Sequence, residues 1–317
     1  MPRPWRPACP PCRSAGRVKR FLCATDTSCR KFAIAAYGAA GNFRPIGFGR
    51  AIGSSHMVGT TASSTSLSRH WVEPKPLFRL RRSILLSRLR RSKRLIFIAG
   101  CARSGTSLLR KLMSCFEDVV AVDRERSVSH FLDLVHEPQR TLVVKRTNKC
   151  YRELPHLPEC VELIYCVRHP YDCLTSSHPE TAALQQFHVS ERRWTDEYDA
   201  LRRLVARQPQ RQVCVVRYED LVSGPDAVQE VLCSALGLGV THRFSSNPLG
   251  IEIRASSVGK WRRDQRLRDA ISGFSQSWKR RIAEFCEQFG YETSGLLDGG
   301  GAAPQSGDIP NGKVRHG

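Results

Sequence analysis

The hydrophobic and polar positions change their pattern near residue 93. From there, short runs rich in β-branched and aliphatic residues alternate with stretches of helical period. RLIFIAG (94–100) is an apolar run stopped by glycine. TSLLRKLMSCF (106–116) follows, with Leu108, Leu109, Leu112, Met113 and Phe116 on one helical face. VVAV (119–122), TLVVKR (141–146), ELIYCVRH (162–169) and QVCVVRYEDL (212–221) read as strands, the last ending in acids. SVSHFLDLVHE (127–137), DEYDALRRLVAR (196–207), PDAVQEVLCSALGL (225–238) and FSQSWKRRIAEFCEQFGY (274–291) read as helices, with Gly290 as the final stop. Strands of four to seven residues alternating with helices predict an α/β fold: a three-layer, P-loop-type open parallel sheet with helices on both faces. Ligands in such sheets bind beyond the carboxyl ends of the strands.

Before residue 93 no period of 2 or 3.6 is sustained, and the stretch is rich in Arg, Ser, Gly and Pro. The division read from the pattern is therefore a basic leader over 1–92, one α/β domain over 93–294, and a Gly-rich tail over 295–317, with leader and tail expected to be disordered. One part of the leader is patterned: LFRLRRSILLSRLRRSKR (77–94) interleaves basic residues with Leu and Ile. It reads either as a solvated helix or linker before the domain, or as a basic amphipathic helix that touches anionic lipid or RNA.

Charge sharpens this division. The formal net charge is +21, but residues 1–92 hold 18 of the 50 Lys and Arg and only Asp26 and Glu73 of the 29 acids, leaving 32 basic and 27 acidic residues for the rest. The domain is only mildly basic, which argues against nucleic-acid binding through it. The leader's composition suits an organellar transit peptide, and a start assigned upstream of Met57 would look the same. The expected location is cytoplasmic, or organellar if the leader is a transit peptide. The longest apolar run, FAIAAYGAA (32–40), is too short to span a bilayer. The 13 cysteines are odd in number, and Cys9 and Cys12 have no second pair at zinc spacing, so reduced thiols are expected and no disulfide framework.

The candidate chemistry begins at FIAGCARSGTSLL (97–109). Gly100 and Gly105 stand at the first and sixth positions of the G-x-x-x-x-G-K-[ST] phosphate loop and Ser107 at the last, while Thr106 takes the place of its lysine and a cation appears instead at Arg103. Such a turn aims backbone N–H groups at an anion whatever its side chains. The strand ELIYCV ends in Arg168 rather than the acid that would hold magnesium, so the loop suits a phosphate-like group held by arginine and hydroxyls without metal. No His cluster shares a face, and no metal site is expected.

Three further segments accompany the loop: RHPYDCLTSS (168–177), which spaces Arg168 and Ser176 eight apart; VRYEDLV (216–222); and RASSVGKWR (254–262). With RSGTS, these segments in this order resemble the sulfotransferases that use 3′-phosphoadenosine 5′-phosphosulfate (PAPS), closest in pattern to the tyrosyl-protein and bacterial-type branch, over residues 93–291. The resemblance implies that Arg103, Ser104, Gly105, Thr106 and Ser107 hold the 5′-phosphosulfate and that Arg168 and Ser176 hold the 3′-phosphate. It places Tyr218 near the base and Ser256 and Lys260 at the 3′-phosphate. In the late loop Arg254, Gly259 and Trp261 match, while Ala255 and Ser256 replace the family's Lys and Gly. Lys145 matches the lysine on the third strand and, with Arg103, is a candidate for the charge that grows on the leaving group.

The base implied by the resemblance is a carboxylate after the second strand. Strict register puts Arg124 there; a shift of one residue delivers Glu125, and the opposite shift Asp123. PAPS would be a co-substrate, and the acceptor a hydroxyl or amine of a carbohydrate, peptide or small molecule. Residues 178–211, expected over the cleft, mix aromatics with arginines, a composition that suits an acceptor site and an ordinary surface helix equally. Two other readings remain: a P-loop kinase or NTPase in which RYED supplies a magnesium acid, and a basic RNA- or membrane-associated protein without catalysis. Oligomeric state is left open.

Overall fold

The computed structural model describes residues 34–37, 43–45, 76–179 and 181–292. The tail, most of the leader and the Cys9/Cys12 pair lie outside the described residues. Five strands form a parallel sheet: β3 (Arg94–Gly100), β4 (Val119–Glu125), β5 (Thr141–Lys145), β6 (Glu162–Val167) and β7 (Val213–Arg217). Two short strands precede them in the chain, β1 (Ile34–Tyr37) and β2 (Phe43–Pro45); β1 runs parallel to β7, and β2 antiparallel to β1. The sheet order is β2-β1-β7-β6-β3-β5-β4.

The chain thus leaves β3 toward β5 and β4, then returns to add β6 and β7 on the other side. That reversal makes the ends of β3 and β6 the crevice where open α/β sheets bind ligands.

The inner strands β3, β5, β6 and β7 are largely apolar because both their faces are covered, whereas the edge strand β4 is half-buried and ends in Asp123, Arg124 and Glu125. Leu95, Phe97 and Ala99 point with Leu142, Val144, Tyr165, Val167 and Val215 into one core. The alternate residues Ile96 and Ile98 join Val143, Ile164, Cys166 and Val216 in the other. The first core is closed by helices α1 (Pro76–Leu89), α4 (Glu191–Arg207) and α9 (Gln276–Gln288), through residues such as Leu86, Trp194, Leu201, Ile282 and Phe285. The second is closed by α2 (Thr106–Leu112), α5 (Tyr218–Ser223) and α6 (Pro225–Leu236), through Leu109, Leu112, Leu221, Val228 and Leu232. Helix α3 (Pro170–Leu174) follows β6, and α7 (Lys260–Arg263) and α8 (Gln265–Ser272) lead into α9.

Several elements depart from the sequence pattern. Helix α1 takes up most of the basic stretch 77–94, yet Leu86 and Leu89 are buried in the core, so the folded unit includes residues N-terminal to 93. The stretch 127–137 forms only a 3₁₀ turn at Val128–Leu132; the Ser127 and Ser129 hydroxyls bond each other at 2.6 Å, and His130 Nδ1 pairs with Asp133 at 2.8 Å. Short polar side chains that bond locally compete with helix. The run 106–116 is α-helical to Leu112 and 3₁₀ from Met113 to Cys115. QVCVVRYEDL is a strand only to Arg217; Glu219 and Asp220 stand in the first turn of α5, where acids favour helix.

Seven of the nine free cysteines among the described residues are buried: Cys101, Cys115, Cys150, Cys166, Cys173, Cys214 and Cys286. Burial raises the thiol pKa at all seven, to about 12 at Cys173, Cys214 and Cys286.

Candidate active site

The loop after β3 is built by close packing. Gly100 has φ +147, and a Cβ there would stand 2.4 Å from the Cys166 carbonyl oxygen of β6. Gly105 has φ +88, and its Cβ would meet Tyr218 Cδ2 at 2.5 Å. Both glycines serve the conformation and the approach of neighbours. Between them Arg103 is left-handed at φ 71, and the buried Ser104 donates from Oγ to the Cys101 carbonyl at 2.6 Å. Ser104 thus shapes the loop rather than facing the cleft; Arg103 and Ser107 are its exposed side chains.

Beyond the loop lies a cleft of about 310 Å³, lined by Arg103, Gly105, Thr106, Ser107, Arg168, Ser176, Tyr218 and Lys260, together with Asp172, Thr175, Ser177 and Ser257. The residues predicted for the two ends of a nucleotide therefore share one cavity. Arg103 Nε donates to Ser176 Oγ at 2.8 Å. The Arg168 guanidinium donates to the carbonyls of Arg103 at 3.1 Å and Ser257 at 2.5 Å, and lies 4.5 Å from the centre of the Tyr218 ring. Its Nε is buried and has no hydrogen-bond partner. Burial, then the like charge of Arg168, lowers the pKa of Arg103. Two close guanidinium groups with an unmet donor make a pocket that fits an anion.

Of the late loop, Ser257 and Lys260 line the cleft but Ser256 does not; Ser256 accepts at its carbonyl from Arg263. The loop is fastened from below. Buried Asp172 accepts from the N–H groups of Gly259 at 2.8 Å and Trp261 at 3.4 Å. The Tyr218 hydroxyl shares a hydrogen bond with Ser257 Oγ at 2.7 Å and donates to the Arg254 carbonyl at 3.2 Å. Trp261 stacks on His169, with centroids 5.3 Å apart. Burial, reinforced by the charges of Arg262, Arg168 and Arg217, pushes His169 down to about 3, so its ring is neutral. Glu219 is occupied: it accepts from the His169 N–H at 2.9 Å and the Tyr291 hydroxyl at 2.8 Å. Burial raises its pKa. A buried carboxyl with both oxygens engaged offers nothing to magnesium, which disfavours the NTPase reading of RYED.

A second cluster adjoins the cleft through Ser107. Lys145, buried at the end of β5, donates from Nζ to Ser107 Oγ at 3.1 Å and to Glu125 Oε1 at 2.8 Å. The Thr147 hydroxyl donates to the same oxygen, and the Asn148 N–H donates to Oε2 at 2.9 Å. Burial raises the Glu125 pKa, but these donors outweigh it and hold the carboxyl at about 2. Asp123 is turned away: 92 % exposed, it pairs with Arg110 at 2.9 Å. The cause is a bulge. Ala121 faces Val143, yet Glu125 faces Lys145, so four steps along β4 match two along β5.

Helix α4 does not present its aromatics to this cleft, because Trp194 and Tyr198 are buried in the core against Phe285. It also carries Glu197, fully buried, whose carboxylate oxygens have no hydrogen-bond partner. Burial pushes its pKa up to about 8; Arg193 and the N–H groups of Cys150 and Tyr151 act in the opposite sense, the latter without reaching bonding geometry.

Sequence reasoning missed Asp172, Thr147, Asn148 and Ser257. Asp172 carried a signal, an acid four residues after Arg168 at the start of a helix; the other three carried none. Among the described residues no group of three or more His, Cys, Asp or Glu could hold a metal ion, and no helix is long and apolar enough to cross a membrane.

Residues 157–242 match a family model described as "Sulfotransferase family", and no curated protein matches the chain. Solved structures to which it is similar include the sulfotransferase domain from the curacin biosynthetic pathway, at 18 % identity over 63 % of this chain and 98 % of that one, with a TM-score of 0.43. The sulfotransferase domain of the Synechococcus PCC 7002 olefin synthase is 16 % identical over 71 % and 99 %, with a TM-score of 0.45. The mouse sulfotransferase SULT7A1, complexed with PAP, is 18 % identical over 66 % and 90 %, with a TM-score of 0.37. From the end of the turn before β6 to the residues after α6, the chain therefore carries the sequence pattern of the sulfotransferase family.

Proposed function

We propose that the chain transfers a sulfuryl group from PAPS to a hydroxyl or amine acceptor. The observation that carries this reading is the joining of two clusters by one residue: Ser107 lines the cationic cleft and accepts from Lys145, which in turn holds Glu125. When bound, PAPS would supply an activated sulfuryl group on a good leaving group. The side chains divide the remaining work. Arg103 and the loop Gly105–Ser107 would hold the 5′ end, while Arg168, Ser176 and Lys260 would hold the 3′-phosphate. Glu125 would take the acceptor's proton at Oε1 or Oε2. Held at about 2 by its donors, Glu125 is a weak base as it stands. A negative group beside Ser107 would draw Lys145 toward itself, loosening the cationic partner of Glu125 and raising its basicity when the donor is in place.

The test is calorimetric binding of 3′-phosphoadenosine 5′-phosphate, ADP and ATP to the full chain, with and without magnesium. The expected result is a magnesium-independent preference for the 3′-phosphate, with Arg168→Ala weakening that ligand by about tenfold or more and ADP much less. Equal affinity for nucleotides with and without the 3′-phosphate would remove the reading. The acceptor is then sought by transfer of radiolabelled sulfate from PAPS to carbohydrate, peptide and phenol panels.

A further inference from the structure

Helix α1 has two faces, and the core explains only one. Leu86 and Leu89 anchor it to the sheet. On the opposite side Leu80, Ile84 and Leu85 are 58 %, 47 % and 46 % exposed, among the helix's few large apolar side chains left in water. At 100° per residue, Leu80 and Ile84 fall on the same side as Arg81 and Arg88, with Leu85 at the margin, and Arg91 stands in the turn that follows the helix. All three arginines are exposed, and among the described residues no carboxylate forms an ion pair with any of them. The basic surface continues beside the helix: Arg79 and Arg207, from α1 and α4, both bond His156, and Arg203 is exposed one turn before Arg207. The chain that enters α1, residues 1–75, adds 12 Lys and Arg against two acids.

We infer that this face of α1 docks on an anionic lipid surface, with Leu80, Ile84 and Leu85 entering the headgroup boundary and Arg81, Arg88 and Arg91 meeting lipid phosphates. The mixture decides the partner. A polyanion such as RNA would satisfy the arginines but leave three aliphatic side chains in water. A membrane interface supplies both the negative charge and the apolar layer. Fourteen residues span about 21 Å at 1.5 Å per residue, enough to lie in the interface as an anchor and too short to cross it. The inference is independent of the proposed reaction.

The test is cosedimentation of the full chain with vesicles of phosphatidylcholine alone and with phosphatidylserine added, across a range of salt. Binding is expected only to the anionic vesicles and is expected to weaken with salt. Replacing Leu80 and Ile84 together by Glu should lower partitioning roughly tenfold or more. As these changes touch a helix, an Arg81, Arg88 and Arg91→Gln variant, altered only at exposed positions, is measured beside it. Circular dichroism and thermal melting confirm that both are folded. The inference is overturned if the wild-type chain ignores anionic vesicles. It is equally overturned if both folded variants bind as the wild type does, since the leader's charge would then act without this face, or if the face selects RNA or an acidic protein over lipid.

Discussion

The cationic cleft and the Glu125–Lys145 pair are built in opposite ways, although one serine joins them. The cleft gathers side chains from loops after β3, β6 and β7 and from the late loop, two of them held by backbone contacts: carbonyls for Arg168, N–H groups for Asp172. The Glu125–Lys145 pair lies on two neighbouring strands and is set by the register between them. A cradle assembled from many loops tolerates the loss of one hydroxyl, whereas a pair fixed by one bulge depends on each member. Binding and chemistry should therefore be separable by mutation.

The largest expected effect comes from the pair. Glu125→Gln should lower kcat by about 10²–10⁴-fold while leaving affinity for the 3′,5′-bisphosphate nearly unchanged. Steady-state kinetics beside calorimetry checks this, and an equal loss in both would collapse the distinction. Gly105→Ala should act on the cradle instead, since the added methyl meets Tyr218 at 2.5 Å in a left-handed turn. It should cost about 1–3 kcal/mol in denaturant unfolding and weaken nucleotide binding.

Glu197 lies under the turn that follows Asn148, and it sharpens the comparison through pH. Its folded pKa of about 8 lies above the ordinary 4.5, so its favourable contribution is fully present below 4.5 and is lost as pH rises through about 8. Glu197→Gln should therefore melt higher relative to wild type at pH 8.5 than at pH 5, with the gap opening across that interval. The smallest effect is expected for Tyr218→Phe, which removes the hydroxyl bonds to Ser257 and the Arg254 carbonyl but keeps the ring under Arg168. Bisphosphate affinity should fall by roughly fivefold, about 1 kcal/mol.

The same contrast explains what could be read from the chain. The order of strands and helices was legible because both faces of the inner sheet are covered, which makes β3, β5, β6 and β7 nearly continuous apolar runs. The loop from Gly100 to Ser107 was legible because its conformation is set within one turn, and Arg168 and Ser176 because both flank the short helix that follows β6. The proposed base was legible only to within one residue of Arg124, because the bulge that brings Glu125 rather than Asp123 to Lys145 is a relation between two strands. Thr147 and Asn148 left no trace for the same reason. Leu86 and Leu89 looked like part of a basic linker, since the arginines that alternate with them face water and mask the buried stripe.

The buried cysteines give the domain a built-in clock. Only the thiolate reacts with an alkylating reagent, and burial at Cys101, Cys150, Cys166, Cys173, Cys214 and Cys286 both withholds the sulfur and suppresses its ionisation. These six sit on different elements of the two cores, so each labels only when its own neighbourhood opens. Mass-resolved labelling over time would rank local opening rates across the sheet in a single unmodified sample, and ligand added to the cleft would slow those positions whose exposure requires it to come apart.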